Sequence, residues 1–265
     1  MKLAELQSIL KSFVPDDGRP LVIYSGIWQF ARRLEVPTRE IPHRLIEVIL
    51  NAAGPDRTVL MPTYTGGFRE GVVDLDTEPS RTGVLTEAFR KHPDTLRTAS
   101  AFFSFACSGP DASFLAALRP DDAWGDGSVL DWVEKNNAEI ITLGESWDFV
   151  SITHLGEWKA RVPYRYPKTF TGTMIYQGSR QSLTERLFVR SLSPDVHNNW
   201  RRLDTILPAI GMRSESLGSG QIASVSAQPL LAGQLEALEQ DPFCFTQDPD
   251  SIRNVPFQHP VELHN

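Results

Sequence analysis

Residues 21–26 read Leu-Val-Ile-Tyr-Ser-Gly and residues 58–62 read Thr-Val-Leu-Met-Pro. Each is a short apolar run stopped by a turn residue, which is how a buried strand reads. Between them, residues 42–53 read as a helix, with Pro42 in the first turn and Gly54 just past the end. Strand, helix, strand in that order is the mark of an α/β fold.

The same reading extends in both directions. Leu3, Leu6, Ile9, Leu10 and Phe13 recur at helical spacing until Asp16-Asp17-Gly18 interrupts them. Downstream, residues 83–91, 110–118, 128–135 and 230–239 read as helices, and residues 102–107, 138–143 and 169–176 as strands. Residues 63–82, with Gly66, Gly67, Gly71 and Pro79, form a long loop without periodicity, and loops of that length usually carry function. The tail from Asp241 to Asn265, rich in Pro, Asp and Asn, is expected to pack irregularly. No repeat and no composition shift divides the 265 residues, so one domain is expected.

Composition narrows the function. No apolar run approaches the ~20 residues that span a bilayer, and the first ten residues, with Glu5, lack the apolar core of a signal peptide. Cys107 and Cys244 lie far apart and make no metal or redox spacing, which fits a reducing cytoplasmic compartment. The net charge of −7, from 26 basic and 33 acidic residues, disfavours nonspecific nucleic-acid binding; it is mildly compatible with a cationic substrate such as an amine, but many cytoplasmic proteins are this acidic.

The strand at 138–143 leads into Ser151-Ile152-Thr153-His154-Leu155-Gly156-Glu157. The ends of buried strands are where α/β proteins place chemistry. If the chain is helical here, Ser151, His154 and Glu157 share one face at i, i+3 steps. Glu157 could then orient the His154 imidazole as a general base. Spacing alone equally allows a structural histidine with Ser151 as N-cap. His-x-x-Glu can also supply two metal ligands, but no matched third is near, since His43, His92, His197, His259 and His264 are scattered.

Other segments have two readings each. Pro79-Ser80-Arg81-Thr82-Gly83 is either a phosphate site at a helix start or an ordinary capped turn. Residues 97–105, one Arg among hydroxyls and aromatics, either line a cofactor groove or form a core strand. Tyr164-Arg165-Tyr166-Pro167-Lys168 sets two cations among aromatics, as a binding loop or a solvated loop edge.

Taken in order, several segments resemble the aminoglycoside 3-N-acetyltransferase family of coenzyme-A-dependent N-acyltransferases. Met61-Pro62-Thr63 is similar to its strand-end Met-Pro-Thr, and residues 79–90 to its Pro-Ser-x-x-Gly-x-Leu-x-Glu-x-x-Arg helix. Residues 97–109 resemble its Arg-Ser-x-His-Pro-x-x-Ser segment, with Ser100-Ala101 in place of His-Pro. Trp124-Gly125-Asp126-Gly127-Ser128 resembles its aromatic-Gly-x-x-Ser turn, and residues 151–157 its Thr-x-x-His-x-x-Glu, with Ser151 for Thr. A Gly-x-Val-x-Gly-Gly after the first strand is replaced by Leu34-Glu35-Val36-Pro37-Thr38-Arg39.

The resemblance implies an acetyltransferase with acetyl-coenzyme A, or another acyl-coenzyme A, as co-substrate and no metal. The fold expected is a single α/β domain, a mixed β-sheet flanked by helices on both faces, with the 63–82 loop and the tail over the site. His154 is then the base, Glu157 its orienting carboxylate, and Ser151 or a neighbouring backbone N–H the candidate oxyanion donor. Ser25, Ser80, Arg81, Thr82 and Ser104 are the candidate cofactor contacts. The Tyr-, Arg- and Lys-rich run at 162–172 resembles members associated with polysaccharide and amino-sugar pathways. An acidic or nucleotide-linked amino sugar in biosynthesis is therefore the expected acceptor, with antibiotic resistance through aminoglycosides as the alternative. A metal-dependent hydrolase built on His154 and Glu157, or a ligand-binding member without turnover, are further alternatives. The protein is expected to be a monomer or homodimer without nucleic-acid or membrane partners.

Overall fold

The computed structural model describes residues 1–66, 68 and 71–257. Its centre is a seven-stranded sheet in the order β4-β5-β2-β1-β6-β10-β9. The strands are β1 (Leu21–Ser25), β2 (Val59–Pro62), β4 (Leu96–Arg97), β5 (Phe105–Ser108), β6 (Glu139–Leu143), β9 (Arg213–Leu217) and β10 (Gly220–Ser226). Strand β1 pairs in parallel with β2 and with β6, while β5 and β10 run antiparallel on the outer sides of β2 and β6. The sheet is mixed, as expected.

Alternation along β1 assigns its two faces. Leu21 and Ile23 pack with Leu6 and Leu10 of α1 (Leu3–Phe13), Leu45 and Ile49 of α2 (Ile41–Ala53), and Leu85 and Phe89 of α3 (Val84–Arg90). Val22 and Tyr24 pack on the other side. There they meet α4 (Ala112–Ala117), α5 (Val129–Lys135), α6 (Ile152–Ala160), α7 (Leu203–Ala209) and α8 (Ala227–Gln240). All five residues of β1 and of β6 are buried, which is why both read as mainly apolar runs rather than alternating ones.

The chain leaves β1 toward β2 on one side and returns at β6 on the other, so a crevice opens beyond their carboxyl ends. Gly26 follows β1 and Gly144 follows β6. A Cβ on Gly26 would lie 2.5 Å from the Gly144 carbonyl oxygen, and Gly144 has φ +70°. Two glycines let the turns leaving neighbouring strands touch and keep the crevice open above them.

Several expectations are corrected. The 63–82 segment is not all loop: β3 (Val72–Asp74) pairs in parallel with β7 (Arg165–Tyr176), which forms a hairpin of two 12-residue strands with β8 (Ser179–Arg190). Its turn, Gln177-Gly178, has φ of 51° and 71°. The aromatic strand expected at 102–107 begins only at Phe105, leaving Phe102 and Phe103 in the preceding turn. Strands β8, β9 and β10 and helix α7 occupy a region that shows no apolar run. The tail is irregular apart from α9 (Pro249–Ile252), and residues 258–265, with His259 and His264, lie outside the described residues. Phe243 and Phe245 of the tail pack near Tyr164 and Trp200, with ring centroids 6.0 and 5.3 Å apart. Among the described residues, no helix is long and apolar enough to cross a membrane.

Helix α6 is seated on α8 through Gly156. A Cβ there would lie 2.2 Å from Gln234 Oε1, while Gln234 Nε2 donates to the Thr153 carbonyl at 2.8 Å. Gly156→Ala is expected to lower stability by about 1–2 kcal/mol. Overpacking of about 1–3 kcal/mol and disturbance of the Gln234 bond outweigh the ~1 kcal/mol that Ala gains over Gly in a helix. Urea denaturation checks it; an unchanged or higher midpoint would show that Gln234 moves aside freely.

Candidate active site

Helix α6 begins after β6 and a short turn at Trp147–Phe149. Ser151 stands at its N-cap position without a side-chain capping bond. Its hydroxyl lies 2.7 Å from Tyr24 Oη, and its backbone N–H donates to that same oxygen at 3.2 Å. Tyr24 is in β1, so this pair ties the start of α6 to the end of the central strand. Ser151 and His154 share a helix turn as the spacing predicts, but the Ser151 hydroxyl is committed to Tyr24.

His154 and Glu157 do meet. Nδ1 of His154 is 2.9 Å from Glu157 Oε2, and Glu157 is fully buried. Arg165, the first residue of β7, forms an ion pair with the same Oε2 through Nε at 2.9 Å. Tyr164 Oη and Asn198 Nδ2 each donate to Oε1 at 2.9 Å. Both carboxylate oxygens are thus fully used. Burial by itself would raise this carboxyl, but the Arg165 charge, together with His154, outweighs it and holds the group at about 2. Arg165 is held in turn by the Phe188 carbonyl and Asn198 Oδ1, at 3.0 and 2.9 Å. Tyr164 and Arg165 were readable as a solvated loop edge; both are buried.

An aromatic box fixes the imidazole. It stacks on Trp124 with centroids 4.5 Å apart and planes inclined by 20°, and Phe103 and Trp200 each meet it edge-on at 6.0 Å. Burial lowers the His154 pKa below the ordinary 6.5, and Arg165 adds to that while Glu157 opposes it. A neutral imidazole whose Nδ1–H is held by a carboxylate presents the lone pair of Nε2, so the group is set up as a proton acceptor. Among the described residues, no three His, Cys, Asp or Glu side chains converge to hold a metal ion.

Two hollows lie beside this centre, reaching it through Tyr24 and Trp200 rather than through His154 itself. One, of about 420 Å³, opens at the carboxyl ends of β1 and β2 and is lined by Tyr24, Ser25, Pro62, Tyr64, Arg81 and Thr82 among others. The other, of about 610 Å³, is lined by Trp200 with Glu145, Asp148, Asp204 and Arg201. Trp28, Glu145 and Phe149 border both. Of the expected cofactor contacts, Ser25, Arg81 and Thr82 therefore reach a common cavity. Ser80 lies behind it, its hydroxyl 2.8 and 2.9 Å from those of Thr82 and Thr86. Ser104 is not brought there: it is fully buried, donates to the Thr63 carbonyl at 2.8 Å and accepts from Arg97 Nε at 3.0 Å. The substituted segment at 34–39 packs on the N-terminus, where the Glu35 N–H donates to the Met1 carbonyl at 3.2 Å.

Sequence reasoning missed Asn198 and the role of Arg165. Asn198 sits in an irregular stretch 41 residues from Glu157 and carries no local signal. Trp124 stood within the aromatic-Gly turn, but nothing in the sequence placed its ring on His154.

The folded state prefers neutral His154, so protonation as pH falls through 6.5 favours the unfolded chain and stability declines in that direction. In an NMR titration the His154 ring protons are expected to shift with a midpoint below 6.5, and lower still in Glu157→Gln, which removes the neighbouring negative charge. A midpoint at or above 6.5 in the wild type would contradict the burial argument.

Comparison with known proteins shows the family and the fold. The family described as aminoglycoside 3-N-acetyltransferase matches residues 35–239. The chain is 25% identical over 264 residues to aminoglycoside N(3)-acetyltransferase IV of Salmonella sp, covering 98% of this chain and 96% of that protein. The apoenzyme of aminoglycoside acetyltransferase AAC(3)-IVa superposes with a TM-score of 0.75 at 24% identity, over 95% of this chain and 96% of that one. AAC-IIIb in a binary complex with CoASH gives 0.76 at 20% identity, over 91% and 97%. With the family match extending across most of its length, this chain belongs to the aminoglycoside 3-N-acetyltransferase family.

Proposed function

We propose that this protein transfers the acetyl group of acetyl-coenzyme A to an amine of an aminoglycoside, with His154 as the base. The observation that carries the chemistry is the His154–Glu157–Arg165 chain. An ammonium cannot attack a thioester, so a proton must leave the amine, and Nε2 of a neutral His154 is placed to take it. Glu157 holds the productive tautomer and offsets the charge that develops on the ring. Arg165 keeps Glu157 ionised although it is fully buried. The hollow at the strand ends, with Ser25, Arg81 and Thr82, is the place for acetyl-coenzyme A. The amine then comes from the side of Trp200.

Charge favours a cationic acceptor over an acidic sugar. The cations at 162–172 that suggested the opposite do not face an acceptor: Arg165 is spent on Glu157, and Lys168 Nζ lies over the Phe170 ring at 5.1 Å. The hollow beside Trp200 instead carries Glu145, Asp148 and Asp204 against a single Arg201. Acidic groups along a cleft concentrate polycations and repel phosphate or carboxylate.

His154→Ala is expected to lower turnover by roughly 10²–10⁴-fold while coenzyme A affinity stays near wild type. Thiol release followed in parallel with calorimetric binding tests both halves; near-normal turnover would remove His154 from the mechanism. Under one buffer and salt condition, kcat/KM should be higher for gentamicin- or kanamycin-type amines than for phosphate- or carboxylate-bearing amino sugars. The reverse order would restore the biosynthetic reading. Glu145→Gln combined with Asp148→Asn should raise the KM for the cationic acceptor with little change in kcat, and most clearly at low ionic strength.

A further inference from the structure

Among the described residues, two buried hydroxyls on the wall of the strand-end hollow make no hydrogen bond of good geometry: Ser25 Oγ, and Tyr64 Oη, which lies beside the Tyr24 and Ser151 hydroxyls. An unpaired buried hydroxyl is unfavourable unless something that occupies the cavity satisfies it. The neighbouring hydroxyls are engaged, since Tyr24 Oη and Ser151 Oγ bond one another at 2.7 Å. Tyr64 lies two residues beyond β2, and its ring meets Phe103 edge-on at 4.9 Å. Phe103 meets His154 at 6.0 Å, so the phenol and the imidazole flank the same ring. Burial pushes the Tyr64 phenol well above its ordinary 10, which keeps the proton on it.

We propose that the Tyr64 hydroxyl is the donor that receives the thioester carbonyl oxygen as negative charge builds on it during acyl transfer. This rests on the acetyl-transfer reading above and adds a residue to it. In the step, the amine nitrogen bonds to the carbonyl carbon and the π pair moves to oxygen, where the Tyr64 O–H meets it. The pair then returns, the C–S bond breaks, and the coenzyme A thiolate leaves, taking the proton that His154 drew from the amine. Tyr64 keeps its own proton throughout and acts only as a hydrogen-bond donor. Ser151, whose hydroxyl is held by Tyr24, is left the task of fixing the start of α6.

Tyr64→Phe deletes one oxygen atom and tests the assignment. Because the hydroxyl makes no hydrogen bond of good geometry among the described residues, the thermal midpoint should change little and the coenzyme A Kd stay unchanged, while kcat falls roughly 10²–10³-fold, as for loss of one oxyanion donor. A second readout needs no turnover. With ¹³C-carbonyl acetyl-coenzyme A bound and no acceptor present, the infrared carbonyl stretch should lie lower in the wild type than in Tyr64→Phe. Equal stretches, a kcat within twofold of wild type, or a comparable loss in Ser25→Ala with Tyr64→Phe unaffected would overturn the proposal. A wild-type protein that binds acetyl-coenzyme A and lowers the stretch, but acetylates no amine, would support the Tyr64 contact and overturn the transfer reading instead.

Discussion

The carboxylate of Glu157 is the point on which the site is assembled. A buried carboxylate is strongly unfavourable without compensation, and here it is compensated by four partners from three parts of the chain: His154 in α6, Tyr164 and Arg165 at the start of β7, and Asn198 far downstream. Each partner is fixed by meeting that demand. Arg165 cannot turn to solvent without leaving a buried anion that has no counter-charge, a loss of about 3–5 kcal/mol. The hairpin that begins at Arg165 is thereby docked against α6, and the stretch around Asn198 is drawn in over both.

The same arrangement separates two requirements that conflict in a single group. A base must be neutral at working pH, which burial among Trp124, Phe103 and Trp200 favours. It must also tolerate a positive charge once it has taken a proton, which the adjacent carboxylate provides. Arg165 adjusts the balance, since its charge keeps Glu157 ionised and also discourages premature protonation of His154. Two hollows open beside these groups, one at the strand ends beside hydroxyls and Arg81, the other bordered by Glu145, Asp148 and Asp204. Trp28 and Phe149, exposed by 72% and 65%, stand where the two join.

The central sheet was legible because its strands are buried on both faces. In β1, β2, β5 and β6 every residue is buried, so each appears as an apolar run punctuated by Ser-Gly, Pro or Gly. The hairpin and the sheet edge lacked that signature. Strand β8 carries Arg180, Ser182, Thr184 and Arg186 on one side, and four of the five residues of β9 are exposed. Such strands form because a partner is already in place, and β3, only three residues long, exists as a strand because β7 lies beside it.

What the sequence determined by itself was the α/β order of elements and the i, i+3 step that lets His154 and Glu157 meet, since both are set by local periodicity within one helix. Tertiary structure decided everything that depends on residues distant in the chain. It turned Ser151 toward Tyr24, and it buried Arg165 as the counter-charge of Glu157. It also placed Trp124 on the imidazole and gathered Glu145, Asp148 and Asp204 along one hollow. Electrostatic partnership and ring stacking act through space, and their sign and strength are set only when folding fixes the distances and removes the water between the groups.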